Sequence, residues 1–155
     1  MHIAIEDPGQ PDIVALIADL DAYQLTLYPA ESVYALDMHS LKQPNVRFAV
    51  ARDAAGKAVG CGAAVLTSDY AELKRMYVQP ALRGQGVAQG VLALLEAEAR
   101  AGGCARMTLE TGPYQEAALA LYARQGYQRC ARYGDYPDDP YSVFMEKPIA
   151  RAVAG

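Results

Sequence analysis

The chain is short of the residues that build metal and redox sites. Its three cysteines, Cys61, Cys104 and Cys130, are odd in number and far apart, and its two histidines are His2 and His39. No CxxC pair or Cys/His cluster has metal-ligand spacing, so no metal is expected. The thiols read as reduced and mostly buried, in a reducing compartment. Positive charge is also scarce. Fourteen Lys and Arg against eighteen Asp and Glu leave a net charge of −4, with a pI of about 5.1. That balance argues against nucleic acid or an anionic membrane as a partner. The opening MHIAIEDPG lacks the basic and apolar regions of a signal peptide. The longest apolar run, near Val59–Leu66, is too short and too rich in glycine to span a bilayer. A soluble, cytoplasmic protein is expected.

What is present suffices for a core. Of 155 residues, 52% are apolar, which suits one domain over residues 1–148 with a flexible tail over 149–155. Neither a linker nor an internal repeat divides the chain. Residues 12–28 place Ile13, Leu16, Ile17, Leu20, Tyr23 and Leu27 at helical spacing, with Pro11 at the start and Pro29 at the end. A short second helix is expected near Glu31–Leu41. Val46–Arg52, Ala58–Thr67 and Glu72–Val78 then read as three consecutive strands, joined by turns at Asp53–Lys57 and Ser68–Tyr70. A helix over Val87–Ala101 stops at Gly102-Gly103. A strand at Arg106–Glu110, a helix at Tyr114–Gln125, a strand at Tyr127–Tyr133, a loop at Gly134–Tyr141 and a strand at Ser142–Lys147 complete the order. The expected class is α/β, a mixed sheet with helices on both faces, in which residues 72–110 form a parallel right-handed crossover.

Between that strand and that helix lies Arg83-Gly84-Gln85-Gly86-Val87-Ala88. Glycines there permit backbone angles and close approaches that side chains forbid. The following helix offers unpaired N–H groups and partial positive charge, and Arg83 adds a cation. The combination suits a phosphate or pyrophosphate. It is not a P-loop, since no Lys-Ser/Thr follows. A dinucleotide fold is a rival, with Glu110 as its ribose-binding acid, but Gly90 stands one position late for that fingerprint and an antiparallel meander precedes it.

The stretch resembles the [Q/R]-x-x-G-x-[G/A] signature of the GCN5-related N-acetyltransferases. So do the flanking Val78-Gln79-Pro80 and the later Leu121-Tyr122-x3-Gly126-Tyr127. The element order matches from about residue 1 to 148. The segments PAESVYAL (29–36), LETG (109–112) and DYPDDPYSVFMEK (135–147) are similar to a bacterial branch often labelled indole-acetic-acid or uncharacterised acetyltransferases. An indole acid offers no free amine, so that label carries no substrate here. The resemblance implies the acyl-CoA N-acyltransferase fold, a mostly antiparallel sheet with a central parallel βαβ unit. It also implies acetyl-CoA as co-substrate, with pyrophosphate on the N–H groups of Arg83, Gly84, Gln85, Gly86, Val87 and Ala88. The pantetheine arm would lie along Met76, Tyr77 and Val78, and Gln115 would stand where many members place a cofactor-contacting asparagine.

By the same resemblance Tyr122 is the acid beside the sulfur. Glu72 is a candidate base, six residues before Val78, although it also suits an ordinary solvated strand carboxylate. Strict alternation puts Glu72, Lys74 and Met76 on one face. A bulge, common in this family's cofactor strand, would break that parity. Tyr28, Glu31, Ser32, Tyr34, Asp135, Tyr136 and Ser142 are the candidate acceptor-site residues, suited to a small, cationic amine. Direct attack in a ternary complex is the implied chemistry. A peptide or protein acceptor and a non-catalytic acyl-CoA sensor are the alternatives, and a homodimer is left open.

Overall fold

The computed structural model describes residues 1–150. Seven strands form one sheet in the order β1-β2-β3-β4-β5-β7-β6. They are β1 (His2–Ile5), β2 (Val46–Arg52), β3 (Ala58–Leu66), β4 (Tyr70–Val78), β5 (Arg106–Thr111), β6 (Gln128–Arg129) and β7 (Val143–Pro148). The helices are α1 (Pro11–Leu27), α2 (Met38–Leu41), α3 (Val87–Ala101) and α4 (Glu116–Arg124). Among the described residues only β4 and β5 pair in parallel, and α3 makes the crossover between them. The expected mixed sheet is present.

Each face has its own core. Ile13, Leu16, Ile17 and Leu20 of α1 cover Phe48, Val50, Cys61 and Ala63. On the other face Val87, Val91, Leu92 and Leu95 of α3 and Tyr122 of α4 cover Val59, Leu73, Met107 and Leu109. Strand alternation divides these sets, because successive side chains point to opposite faces. Gly90 belongs to packing: a Cβ there would lie 2.4 Å from Ile3 Cδ1, so the glycine admits β1 against α3.

Several elements differ from the sequence expectation. The β1 strand was not foreseen, since four residues at a sheet edge carry little pattern. The helix expected near Glu31–Leu41 is a single 3-10 turn at Ala30–Ser32 and the one-turn α2, capped by Asp37 Oδ1 accepting from Ser40 N at 2.8 Å. The chain between them is not helical because its carbonyls are used elsewhere. Lys74 Nζ donates to Tyr34 O at 3.1 Å, and Arg75 Nε donates to Leu36 O at 2.9 Å. The strand expected at Tyr127–Tyr133 shortens to β6, and Tyr133 turns back to hydrogen-bond Glu72. The tail does not loosen at 149. Ile149 is buried, its N–H donates to Ala105 O at 2.9 Å, and its carbonyl accepts from Arg100 Nε at 2.8 Å. The rest of the expected tail, 151–155, lies outside the described residues.

Candidate active site

The site begins where β4 and β5 part. Their ladder runs from Tyr70↔Arg106 to Leu73↔Leu109 and ends there. Beyond it, β4 keeps β3 on one side and leaves its other edge without a partner strand. The separation coincides with a bulge. Ala63 pairs with Lys74 and Cys61 with Tyr77, so β4 carries one extra residue. Arg75 supplies it, at φ +58°, a left-handed angle that costs a non-glycine residue energy. The bulge flips the parity of the strand. Tyr77 reaches the α1 core, while Met76 and Val78 turn to the α3 face.

Arg75 is held in place by several contacts. Its guanidinium pairs with Asp21 and donates to Leu36 O, and its carbonyl accepts from the buried Cys61 thiol at 3.4 Å. The neighbouring Lys74 and Arg75 are therefore not simply solvated, with side chains only 14% and 8% exposed.

Two cavities open from this fork. The larger, about 640 Å³, runs from Met76, Tyr77 and Val78 past the glycine turn to α4. Gly84 and Gly86 have φ of +80° and +81°, and a Cβ on either would meet nothing within 4 Å. Their positive φ is a backbone shape that favours glycine. Gly86 is the N-cap of α3 and provides no side-chain cap, so the first N–H groups of the helix stay open towards this cavity. Arg83 is steadied by Val78 O at 3.2 Å and by the rings of Tyr23 and Tyr77, at 5.2 and 5.9 Å. An uncapped helix start, a glycine turn and an unpaired strand edge fit an extended ligand with a phosphate end.

The smaller cavity, about 70 Å³, lies on the α1 side of the fork. Tyr28, Ser32, Tyr34, Lys74, Glu110 and Tyr141 are among its walls. Gly112 makes the wall possible: a Cβ there would lie 1.9 Å from Tyr28 Oη. Tyr28 in turn accepts from Tyr114 N–H at 3.1 Å and stacks on the Tyr114 ring. Gln115 and Tyr122 line both cavities. Tyr122 is 5% exposed. Its hydroxyl has no hydrogen-bond partner among the described residues, and burial holds its pKa above the ordinary phenol value.

Glu110 is the residue that sequence reasoning passed over for this role. It lies one residue beyond the last β4–β5 pair, and its carboxylate accepts from Ser142 Oγ at 2.9 Å. Burial pushes its pKa up to about 7, while the Ser142 hydrogen bond and the charge of Lys74 pull it back. A signal existed in the LETG segment, but a half-alternating strand does not reveal which carboxylate the neighbouring strand abandons.

Glu72 is placed differently. It lines neither cavity. Its Oε2 accepts from Tyr133 Oη at 2.8 Å and from Tyr136 Oη, and lies 3.6 Å from Lys74 Nζ. Tyr136 is likewise outside the cavity wall, over Lys74. Tyr34 Oη donates to Asp139, which ties the 134–142 segment over the pocket. Glu31 and Asp135 are exposed and line neither cavity, one on a solvent-facing 3-10 turn and the other at a loop tip. Gln85 is also exposed and, unlike Gly84 and Gly86 beside it, is not in the wall of the larger cavity. Among the described residues no group of three or more His, Cys, Asp or Glu could hold a metal ion, and no helix is long and apolar enough to cross a membrane.

Residues 13–127 match the family model described as Acetyltransferase (GNAT) family. The chain is 47% identical over 149 residues to an IAA acetyltransferase of Azospirillum brasilense, covering 95% of this chain and 97% of that one. A solved structure from Klebsiella pneumoniae, of a protein provisionally assigned as an acyl-CoA N-acyltransferase, matches with a TM-score of 0.81 at 43% identity, covering 96% of this chain and 97% of that chain. An aminoglycoside 6'-N-acetyltransferase crystallised with coenzyme A shares the fold, with a TM-score of 0.74 at 17% identity over 98% of this chain and 99% of that chain. On its motif, its sheet and these likenesses, the chain is an acyltransferase that belongs to the acetyltransferase (GNAT) family.

Proposed function

We propose that the protein transfers an acetyl group from acetyl-CoA to a primary amine of a small molecule, by direct attack in a ternary complex. The observation that carries this reading is that Tyr122 stands in the walls of both cavities, between the phosphate-suited groove and the pocket that holds Glu110. The N–H groups of residues 83–88 would hold the pyrophosphate, and the open edge of Met76–Val78 would pair with the pantetheine arm. Gln115 keeps the amide of the residue it replaces, and its Oε1 lies 3.3 Å from Thr111 Oγ1.

Acetyl-CoA supplies an activated thioester and a thiol leaving group. The amine must lose a proton to attack. A carboxylate whose pKa lies near 7 matches that task better than one in the ordinary carboxylate range. We assign the proton to Glu110, directly or through water. Tyr122 Oη keeps its proton at neutral pH because burial disfavours the phenolate, and can donate it to the departing sulfur. One C–N bond forms as one C–S bond breaks: an ammonium gives its first proton to Glu110 before attack, and its second replaces the proton that Tyr122 passes to the sulfur. Glu72, Tyr133 and Tyr136 hold Lys74 and the covering loop in position.

The test is CoA release measured with a thiol reagent over a panel of amines, alongside thermal shift with acetyl-CoA, CoA and NAD(P). Stabilisation by acetyl-CoA and CoA with release from at least one free amine supports the reading. Stabilisation without release from any amine or peptide amine supports the acyl-CoA sensor, and a response to NAD(P) alone the dinucleotide rival. The segment tied over the pocket by Tyr34–Asp139 favours a small acceptor over a peptide.

A further inference from the structure

The two prongs of the β4–β5 fork carry opposite charges. The last paired residues are Leu73 and Leu109. The next residue on each strand is Lys74 on one and Glu110 on the other. Period-two alternation puts both on the face that carries Glu72 and Thr108, and both line the smaller cavity. They do not close on each other. Lys74 pairs with Glu72 at 3.6 Å and Glu110 accepts from Ser142 at 2.9 Å, and among the described residues no ion pair joins Lys74 to Glu110.

Each retains bonding capacity towards the space between them. An ammonium has three N–H donors. Two of those on Lys74 go to Tyr34 O and Tyr136 Oη. On Glu110, Ser142 takes one carboxylate oxygen, Oε2. The pocket also shows Arg75, although its guanidinium is committed to Asp21 and Leu36 O. An amine with no anionic group would meet Glu110 but leave the third donor of Lys74 with only Glu72, 3.6 Å away. A zwitterion would satisfy both prongs.

Size points the same way. A water needs about 10–15 Å³ of such space, so about 70 Å³ admits roughly five to seven groups of that size. That is an amino-acid backbone with a short side chain. We propose that the acceptor is a compact α-amino acid, its amino group towards Glu110 and its carboxylate towards Lys74. The inference rests on the acetyl-transfer reading above and narrows its acceptor. No further step is added: the amino nitrogen forms the new C–N bond, its first proton goes to Glu110, and its second replaces the one that Tyr122 gives to the sulfur.

The experiment compares kcat/KM for paired acceptors with and without the carboxylate: serine against ethanolamine, alanine against ethylamine and valine against isobutylamine. At least one amino acid is expected to exceed its partner amine by about tenfold or more, as for a charge-assisted contact in a desolvated site. In Lys74→Met that ratio is expected to fall to within about twofold, since the lost contact is the discriminating one. Lys74→Arg should restore most of it. Where Lys74→Met lowers the melting temperature too far to assay, Lys74→Gln removes the charge but keeps N–H donors on a side chain one atom shorter. Equal or better turnover of the carboxylate-free amines overturns the zwitterion and leaves acetyl transfer standing. So does a ratio unchanged in a folded Lys74 variant. Failure of every amine, of either kind, to release CoA overturns acetyl transfer and this inference together.

Discussion

The two cavities that meet at Tyr122 are made in different ways. The larger is shaped mainly by backbone: the uncapped start of α3, two glycines at positive φ and the unpaired edge of β4. The smaller is shaped by side chains drawn from α1, the segment after it, β4, β5 and the 134–142 segment. A backbone site tolerates varied side chains but not altered backbone angles. A side-chain site has the reverse sensitivity. Their substitution profiles should therefore differ in kind as well as in size.

The sharpest contrast is expected at Glu110. Glu110→Gln keeps the shape and the Ser142 contact but removes the base, so kcat/KM should fall by about 100-fold or more. In the wild type, kcat/KM should rise with pH through about 7, as Glu110 loses its proton. That limb should vanish in the variant, and a retained limb would remove Glu110 from the base role. Next comes Tyr122→Phe, which deletes one hydroxyl at the junction. A fall in kcat of roughly 10–100-fold with little change in the KM for acetyl-CoA is expected, within the usual range for a lost proton donor. An equal loss in both parameters would make Tyr122 a packing residue instead.

Backbone strain should dominate on the other side of the comparison. Gly86→Ala imposes about 1–2 kcal/mol for a side chain held at φ +81°. Acetyl-CoA affinity by titration calorimetry should weaken by roughly tenfold, while Gln85→Ala at the exposed neighbour should change it by less than about twofold. Equal effects would mean that the turn reads side chains. Glu72→Gln should lower the melting temperature by roughly 2–8 °C, because a carboxylate serving two tyrosines and a lysine is lost. Its kcat/KM should stay within about tenfold of wild type. A loss as large as that of Glu110→Gln would return the base role to Glu72.

The last expected effect is on the pH dependence of stability. Native Glu110 keeps its proton up to about 7, against an ordinary value of 4.5. The native state thus binds more protons between those values. The stability contribution of Glu110 is present below 4.5 and lost as pH rises through 7. Relative to wild type, Glu110→Gln should therefore melt higher at pH 8 than at pH 4.5, by several degrees. The opposite sign would mean that Glu110 is not held in its neutral form by burial.

The parts of the site that were legible in the sequence are those made by consecutive residues. Arg83–Ala88 announces a turn because positive φ needs glycine, and the strand before it and the helix after it have strong periodicity. The bounds of β2 and α3 agree with their sequence readings for the same reason. Tyr122 was legible through its own helix and the Gly126-Tyr127 that follows. The smaller pocket was half legible. Tyr28, Ser32 and Tyr34 do line the pocket, but Glu31, Asp135 and Tyr136 do not, and Glu110 was weighed only as a ribose-binding acid.

The amino-acid sequence alone determined the order of the major elements, the glycine turn and the family, because local angles and short-period patterning are properties of neighbouring residues. Only the tertiary structure decided which carboxylate faces the pocket. That choice depends on where β4 stops pairing with β5, and so on one extra residue at Arg75 and on carbonyls at 34 and 36 that bind Lys74 and Arg75 instead of closing a helix. These are long-range contacts, and a pattern read along the chain carries no record of them.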